Sequence, residues 1–466
     1  MKRITAIIIA ALLLVPFAAC ARGNEGENTP EPYQNTAEPA VTAAPTAEQT
    51  FVPDHSYNSE TDFNNLFGGC KAYSFTETED AYYFHMHSYL RYYDKASGES
   101  GVLCPKPECE HDAIANNSAC SAYGDCRALA CYEGRLYWFC EDRGRWRIMS
   151  VNTDGTDKRL VREIEITQEL SGDCSAFFHR GRVYLVIIGM DVLNGTPGMT
   201  LRVCRVPIEK DGYEEILSIP CLGIPQATLR FIGDDVYIFG NHDGVDTGGR
   251  QLTDAELAEL AGNSMNKLFV MRWNEGMTKP EFVWLNENYG FWANTKAFWV
   301  ERDGTVYFGT QRLADPERQF DSEGNPARYY LCRIGPDGNA KEVFDMFDGE
   351  QYYGINAVSA DVVIGTLPTS KREGKVGVWV RRFNGETIYK GTLPFEYRER
   401  ITDDCPHSFS LGSDYFGTED WIVLGLEEEY SDHPDGLKRY YYVKYDFTEN
   451  GPAETLLGEE SSVWAR

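Results

Sequence analysis

Between Gly134 and Val161 the chain reads GRLYWFCEDRGRWRIMSVNTDGTDKRLV, and its apolar positions show no helical period. An apolar run at 136–140, a charged turn, a second run at 145–151, an Asn-Thr-Asp-Gly turn and a third run at 158–162 predict a β-meander. The Asp154-Gly155 pair sits where a tight turn needs positive φ, which glycine adopts without steric cost.

The same order of turn and Tyr-rich strand returns along the body. A first copy has strands at 80–86 and 89–93 and turns at 95–98 into 100–104, and the stretch above is the second. Further copies pair 181–188 with 201–207, 235–240 with 267–273, 304–309 with 329–334, 361–367 with 376–383, and 420–426 with 440–446. Most second strands of a pair end in a Gly-containing turn, such as Asn274-Glu275-Gly276 or Pro336-Asp337-Gly338. Strand-like segments precede several copies, at 70–75, 127–132, 227–232, 296–301 and 408–412. Four strands per repeat at intervals of roughly 50–60 residues suit a propeller blade, whereas a solenoid coil is shorter. The expectation is an all-β fold, a seven-bladed β-propeller of four-stranded antiparallel blades over residues 51–466. A sandwich would explain the strands but not their repeated order.

Other segments depart from this pattern. Residues 243–266 hold one helical stretch, with Thr253 as cap, Glu256 at the capping-box position and Leu257 and Leu260 on one face before Gly262. It is expected to be a surface decoration. At the start, Lys2 and Arg3 precede an apolar run at 4–17 that is too short to span a bilayer, followed by Ala18, Ala19 and Cys20. This resembles a bacterial lipoprotein signal. The resemblance implies that residues 1–19 are removed and that Cys20 is lipidated, with an ordinary signal cut near Ala19 as the alternative. Residues 20–50, rich in Pro, Thr, Ala, Glu and Asn, have too little apolar surface to offset ordering entropy and read as a disordered tether. The implied address is the outer face of the bacterial cell membrane, reached through the lipid anchor.

Net charge narrows the partners. With 72 Asp and Glu against 44 Lys and Arg, the formal charge is −28, which argues against nucleic acid and anionic lipid surfaces. The body is expected to be a monomer.

One constellation carries potential chemistry. Cys104, Cys109, His111 and Cys120 form C-x4-C-x-H-x8-C in the crossing from the first repeat to the second, where Pro105 and Pro107 exclude helix. Three thiols and an imidazole suit a tetrahedral structural zinc site. An exported protein also meets oxidising conditions, in which cysteines pair, and Cys126, Cys131 and Cys140 follow closely. Disulfides and zinc therefore both stand as readings of the cluster. Cys204 and Cys332, at equivalent places in third-strand patterns, read as buried thiols.

Two resemblances bear on these motifs. The 136–161 stretch resembles one blade of the low-density-lipoprotein-receptor type of propeller, which implies that Asn152, Asp154 and Asp157 are structural, bonding neighbouring backbone and holding blades together. A calcium loop there lacks the further oxygens and terminal Glu it would need. The turn Asp94-Lys95-Ala96-Ser97-Gly98, the run Leu-Cys-x-Lys-Pro-x-Cys-x-His from Leu103, and a later Cys behind a lipoprotein signal together resemble uncharacterised β-propeller lipoproteins of anaerobic Firmicutes. That family implies an address and a fold rather than a reaction, and a reducing habitat favours thiolate metal sites.

Enzyme signatures are absent from the sequence: there is no G-x-S-x-G, no H-E-x-x-H and no phosphate loop. His85 and His87 alternate on one strand and read as packing or surface positions. His179, His242, His407 and His433 are scattered, and Asp403, Asp404 and His407 form an acidic cluster read as a solvated turn. The leading expectation is a membrane-anchored extracytoplasmic binding or scaffolding propeller whose protein or carbohydrate ligand the sequence leaves open. The alternatives are a polysaccharide- or peptide-processing enzyme using Asp403 and Asp404, and a metal or redox sensor at the Cys-His cluster.

Overall fold

The computed structural model describes residues 52–56, 75–86, 88–111, 120–242 apart from 143, 168–169, 194–195, 210 and 222–223, then 253, 267–286, 292–313, 327–367 apart from 336, 376–395, 408–429 and 437–463. The chain divides into Met1–Gln49 and Thr50–Arg466, and the described residues belong to the second part. Cys20, His87, Asp403, Asp404, His407, His433 and all of 243–266 except Thr253 lie outside the described residues.

Among the described residues every regular element is a strand, and the strands fall in chain order into four-stranded antiparallel meanders, the fifth and sixth of which are joined into one eight-stranded sheet by the parallel β17–β21 bridge. The first sheet is β1 (Phe75–Glu77), β2 (Ala81–Met86), β3 (Tyr89–Asp94) and β4 (Ser100–Val102). The second is β5 (Ala128–Tyr132), β6 (Arg135–Asp142), β7 (Arg145–Asn152) and β8 (Arg159–Glu165). The third is β9 (Asp173–His179), β10 (Arg182–Leu193), β11 (Thr196–Pro207) and β12 (Glu214–Cys221). The fourth is β13 (Gln226–Ile232), β14 (Asp235–His242), β15 (Lys267–Trp273) and β16 (Glu281–Leu285). The fifth is β17 (Trp292–Val300), β18 (Val306–Leu313), β19 (Ala327–Ile334) and β20 (Ala340–Asp345). The sixth is β21 (Gly354–Ser359), β22 (Val362–Thr366), β23 (Val376–Arg382) and β24 (Thr387–Leu393). The last is β25 (Ser408–Gly417), β26 (Trp421–Glu429), β27 (Leu437–Thr448) and β28 (Gly451–Val463).

The sheets follow one another around an axis. First strands adjoin, β1 against β5, β5 against β9, β13 against β17 and β21 against β25, and β17 meets β21 in a parallel bridge at Ala297 and Val358. The last sheet returns onto the first through β28, which lies against β3 and β4. Each seam is filled by buried apolar side chains. Ala81, Leu129 and Val151 join the first two sheets, while Phe178, Leu185 and Val236 belong to a continuous cluster through the second, third and fourth. Phe239 and Phe298, Val358 and Leu331, Ile364 and Leu424, and Phe84 and Tyr442 share the buried clusters that carry the core through the remaining seams. Second strands such as β2 and β22 are buried on both faces while fourth strands such as β8 and β20 stay largely exposed, the pattern of meanders stacked in a β-propeller.

The predicted meander is present, and its strands pair beyond the expected bounds. The β10–β11 ladder runs on to Leu193 and Thr196, past the partner strands on either side. A bulge recurs between third and fourth strands, at Ile148/Met149, Val203/Cys204, Val270/Met271, Leu331/Cys332, Val380/Arg381 and Tyr442/Val443. An extra residue there raises the local right-handed twist, turning each outer strand away from the inner one.

Candidate metal centre

Leaving the end of β4, Leu103 N–H still donates across to Leu90 O at 2.9 Å, and Cys104 N–H closes a tight turn by donating to Val102 O at 2.7 Å. Pro105 and Pro107 fix φ through the following turn, which Cys109 N–H closes by donating to Lys106 O at 3.2 Å. His111 takes φ of +53°, a left-handed conformation that turns the chain back toward the first sheet. The return strand segment is tied down just beyond Cys120. Leu90 N–H donates to Ala122 O at 2.8 Å, Gly124 N–H to Ser88 O at 2.9 Å, and His85 Nε2 to Gly124 O at 2.7 Å. The alternating strand histidine therefore anchors the loop.

The two ends of the loop bring together the four residues singled out by their spacing. The Sγ atoms of Cys104, Cys109 and Cys120 and a ring nitrogen of His111 all lie within 4.8 Å of one another. A zinc tetrahedron with Zn–S of about 2.3 Å has edges of about 3.8 Å, so a small contraction completes the site. Cys120 is buried and the other three are half-buried. His111 Nε2 is buried and has no hydrogen-bond partner among the described residues, and its ring meets Tyr89 edge-on at 5.8 Å. A buried imidazole nitrogen without a partner is costly, and a cation would satisfy it.

The sulfurs differ in electrostatic setting. Burial pushes the Cys104 thiol up, but His111, the Lys106 amide, the Ser121 hydroxyl and Cys120 outweigh it and bring it down to about 6. Burial and then the adjacent Cys104 push Cys109 up. Cys120 rises to about 11, first through burial and then through the charge on Cys104 and Cys109, against the Ala122 amide. One thiolate is thus favoured while its neighbours resist ionising beside it, and a divalent cation is what reverses that resistance.

The second sheet closes the site. Lys158 Nζ donates to Tyr123 O at 2.7 Å and Cys120 O at 3.2 Å, and lies 5.7 Å over the Trp138 ring. Gly155, at φ of +81°, backs so closely on Leu103 that an added Cβ would stand 2.7 Å from its carbonyl oxygen. Tyr83 Oη donates to Thr153 O at 3.3 Å. Neither Lys158 nor Gly155 was expected at the centre: in sequence they read as a basic strand residue and a turn glycine.

The neighbouring cysteines stand apart from this set. All described cysteines are free thiols. Burial raises Cys131 and Cys140 to about 11 and Cys126 well above the ordinary thiol range. Cys204 and Cys332 are buried on β11 and β19. Asn152 and Asp157 bond within their own sheet, where Arg135 reaches Asn152 Oδ1, Asp157 Oδ2 at 3.2 Å and Asp157 O at 2.9 Å. Asp154 accepts from the Thr156 amide at 2.9 Å and its hydroxyl at 2.6 Å. His179 is buried and donates from Nε2 to Gly233 O at 2.6 Å.

No family model and no curated protein matches the chain. Solved structures similar to it include an oligogalacturonate lyase in complex with manganese, at 12% identity and TM-score 0.42, covering 84% of this chain and 91% of that one. The β-propeller domain of the trilobed protease from Pyrococcus furiosus, described as having an open velcro topology, is 13% identical at TM-score 0.39, covering 84% and 96%. A puromycin hydrolase S511A mutant is 11% identical at TM-score 0.48, covering 88% of this chain, which spans 57% of the hydrolase's length. All three TM-scores fall below 0.5, and the fold rests on the strand topology and seams given above.

Proposed function

We propose that the protein is a seven-bladed, extracytoplasmic binding or scaffolding propeller, anchored through a lipid on Cys20 to the outer face of the bacterial cell membrane, with zinc clamping its first two blades. The single observation that carries the zinc reading is the meeting of Cys104, Cys109, His111 and Cys120 within 4.8 Å. Its chemistry is structural, because four protein ligands close the shell and a catalytic zinc keeps an open position. Seven four-stranded meanders in chain order, two of them joined into one eight-stranded sheet, support the blade count. The β10–β11 hairpin, which runs past its neighbouring strands, supports a recognition role, since loops on a folded scaffold are where binding residues gather.

Elemental analysis and native mass spectrometry of anaerobically purified full chain test the centre. One zinc per chain is expected, lost in Cys109→Ser and His111→Ala. A metal-free protein with a disulfide among Cys104, Cys109 and Cys120 would overturn it. Radiolabelled fatty-acid incorporation, abolished in Cys20→Ala, tests the anchor.

A further inference from the structure

Away from the metal centre, a short N-terminal segment is seated on two turns far along the chain. Asp234 N–H donates to Asp54 O at 2.6 Å, and Asp54 N–H donates to Asp234 Oδ2 at 2.8 Å, across 180 residues. Arg180, in the β9–β10 turn, donates from Nη2 to Ser56 O at 2.7 Å, and its Nη1 reaches Asp234 Oδ1 at 3.0 Å and Asp54 Oδ2 at 3.4 Å. His55 Nδ1 lies 2.6 Å from Asp235 Oδ2, whose other oxygen accepts from Asn274 Nδ2 at 2.8 Å. The Asp235 side chain is 5% exposed, so the histidine meets a carboxylate set into the fourth sheet rather than a surface charge.

The receiving turn is shaped for this segment. Gly233 has φ of +56°, and a Cβ there would stand 1.9 Å from Asp54 O. Any other residue would both strain the backbone and displace the segment. The His179 bond to Gly233 O ties the same turn to the third sheet. Residues 54–56 therefore bridge the first-to-second-strand turns of adjacent sheets.

The topology gives this bridge a purpose. Among the described residues the first sheet holds only β1–β4 and the last only β25–β28, so none of these strands is exchanged across the seam where the ring closes. A pull on the N-terminus would fall on β1, in the sheet that meets the last one across that closing seam. We infer that residues 54–56 form a strain-relief latch, which transfers tension from the preceding chain to the turns at Arg180 and Asp234 before it reaches β1. The source of tension rests on the anchored reading above, whereas the latch itself does not.

Hydrogen exchange on the full chain tests the latch, with Asp54→Ala/His55→Ala altering only the segment and Gly233→Ala altering its cradle. The Asp54 and Asp234 amides should exchange slowly in the wild type and at least about tenfold faster in both variants, with β22 amides unchanged. Pulled from its N-terminus, the wild type should show a rupture before the ring unfolds, and the double variant should lack it. Free-chain exchange of Asp54 in the wild type would overturn the latch, as would equal exchange in the wild type and the double variant. An identical first rupture in both proteins would overturn the strain-relief role, and this outcome is independent of whether Cys20 carries lipid.

Discussion

Lys158 Nζ sits 2.7 Å from the carbonyl oxygen of Tyr123, so a lysine of the second sheet caps the loop that delivers Cys120 to the first. The contact is a positioning one. The lysine donates to the carbonyls of Tyr123 and Cys120, and its ammonium lies 5.7 Å over the Trp138 ring.

Lys158→Met keeps the stem and removes the charge, leaving the Cys120 and Tyr123 carbonyls without their donor. The expected losses are about 1–3 kcal/mol of stability and roughly 10–100-fold in zinc affinity, as for other groups that orient metal ligands. Urea unfolding and competition with a chromophoric chelator measure the two. Unchanged zinc affinity would show that the loop holds its own geometry.

Gly155→Ala acts on the same joint from the other side. Positive φ and the Leu103 carbonyl 2.7 Å from the new Cβ both oppose it, and the expected cost is about 1–3 kcal/mol. Faster exchange at the Leu103 amide should accompany the loss, whereas Gly134→Ala, also at positive φ but with nothing near its Cβ, should cost less and leave Leu103 protected. Thermal unfolding with hydrogen exchange distinguishes the two.

Asp348 predicts an acid limb in the stability profile. The amides of Gln351 and Glu350, at 2.8 and 2.9 Å, and the ammonium of Lys390 at 2.9 Å hold its carboxyl down to about 2. A folded-state value below the unfolded one contributes stability that is fully present above about pH 4 and is lost as pH falls through about 2. Asp348→Asn should flatten that part of the curve in urea titrations between pH 5 and 2. An unaltered slope would remove Asp348 from the account of acid unfolding.

The ring's closing seam depends on Phe84, whose ring meets Tyr442 edge-on at 5.3 Å. Gly458 leaves room for it, since a Cβ there would come within 2.8 Å of the phenylalanine ring. Arg91 and Glu460 add an ion pair at 3.3 Å across the same seam. Phe84→Ala should cost about 3–5 kcal/mol, the range for a fully buried aromatic, and Gly458→Leu should also destabilise by overpacking. Both should increase exchange in β1–β4 and β25–β28 first, read by mass spectrometry.

The sequence by itself determined the repeating meander, the places of its turns and the four residues of the Cys-His cluster. Alternation and Asp-Gly or Asn-Gly turns act over two to four residues, and the spacing of Cys104, Cys109 and His111 lies within one short loop. The sequence leaves β9 and β21 open: Asp173–His179 and Gly354–Ser359 carry little local strand signal and become strands by burial between neighbouring sheets. Tertiary structure alone decided the rest. It excluded Cys126, Cys131 and Cys140 from the centre, recruited His85 and Lys158 to hold it, placed the bulges that twist each outer strand, and brought Asp54 to Asp234. These depend on how twisted sheets stack into a closed ring, which joins residues tens to hundreds of positions apart and leaves no local periodicity to betray the partnership.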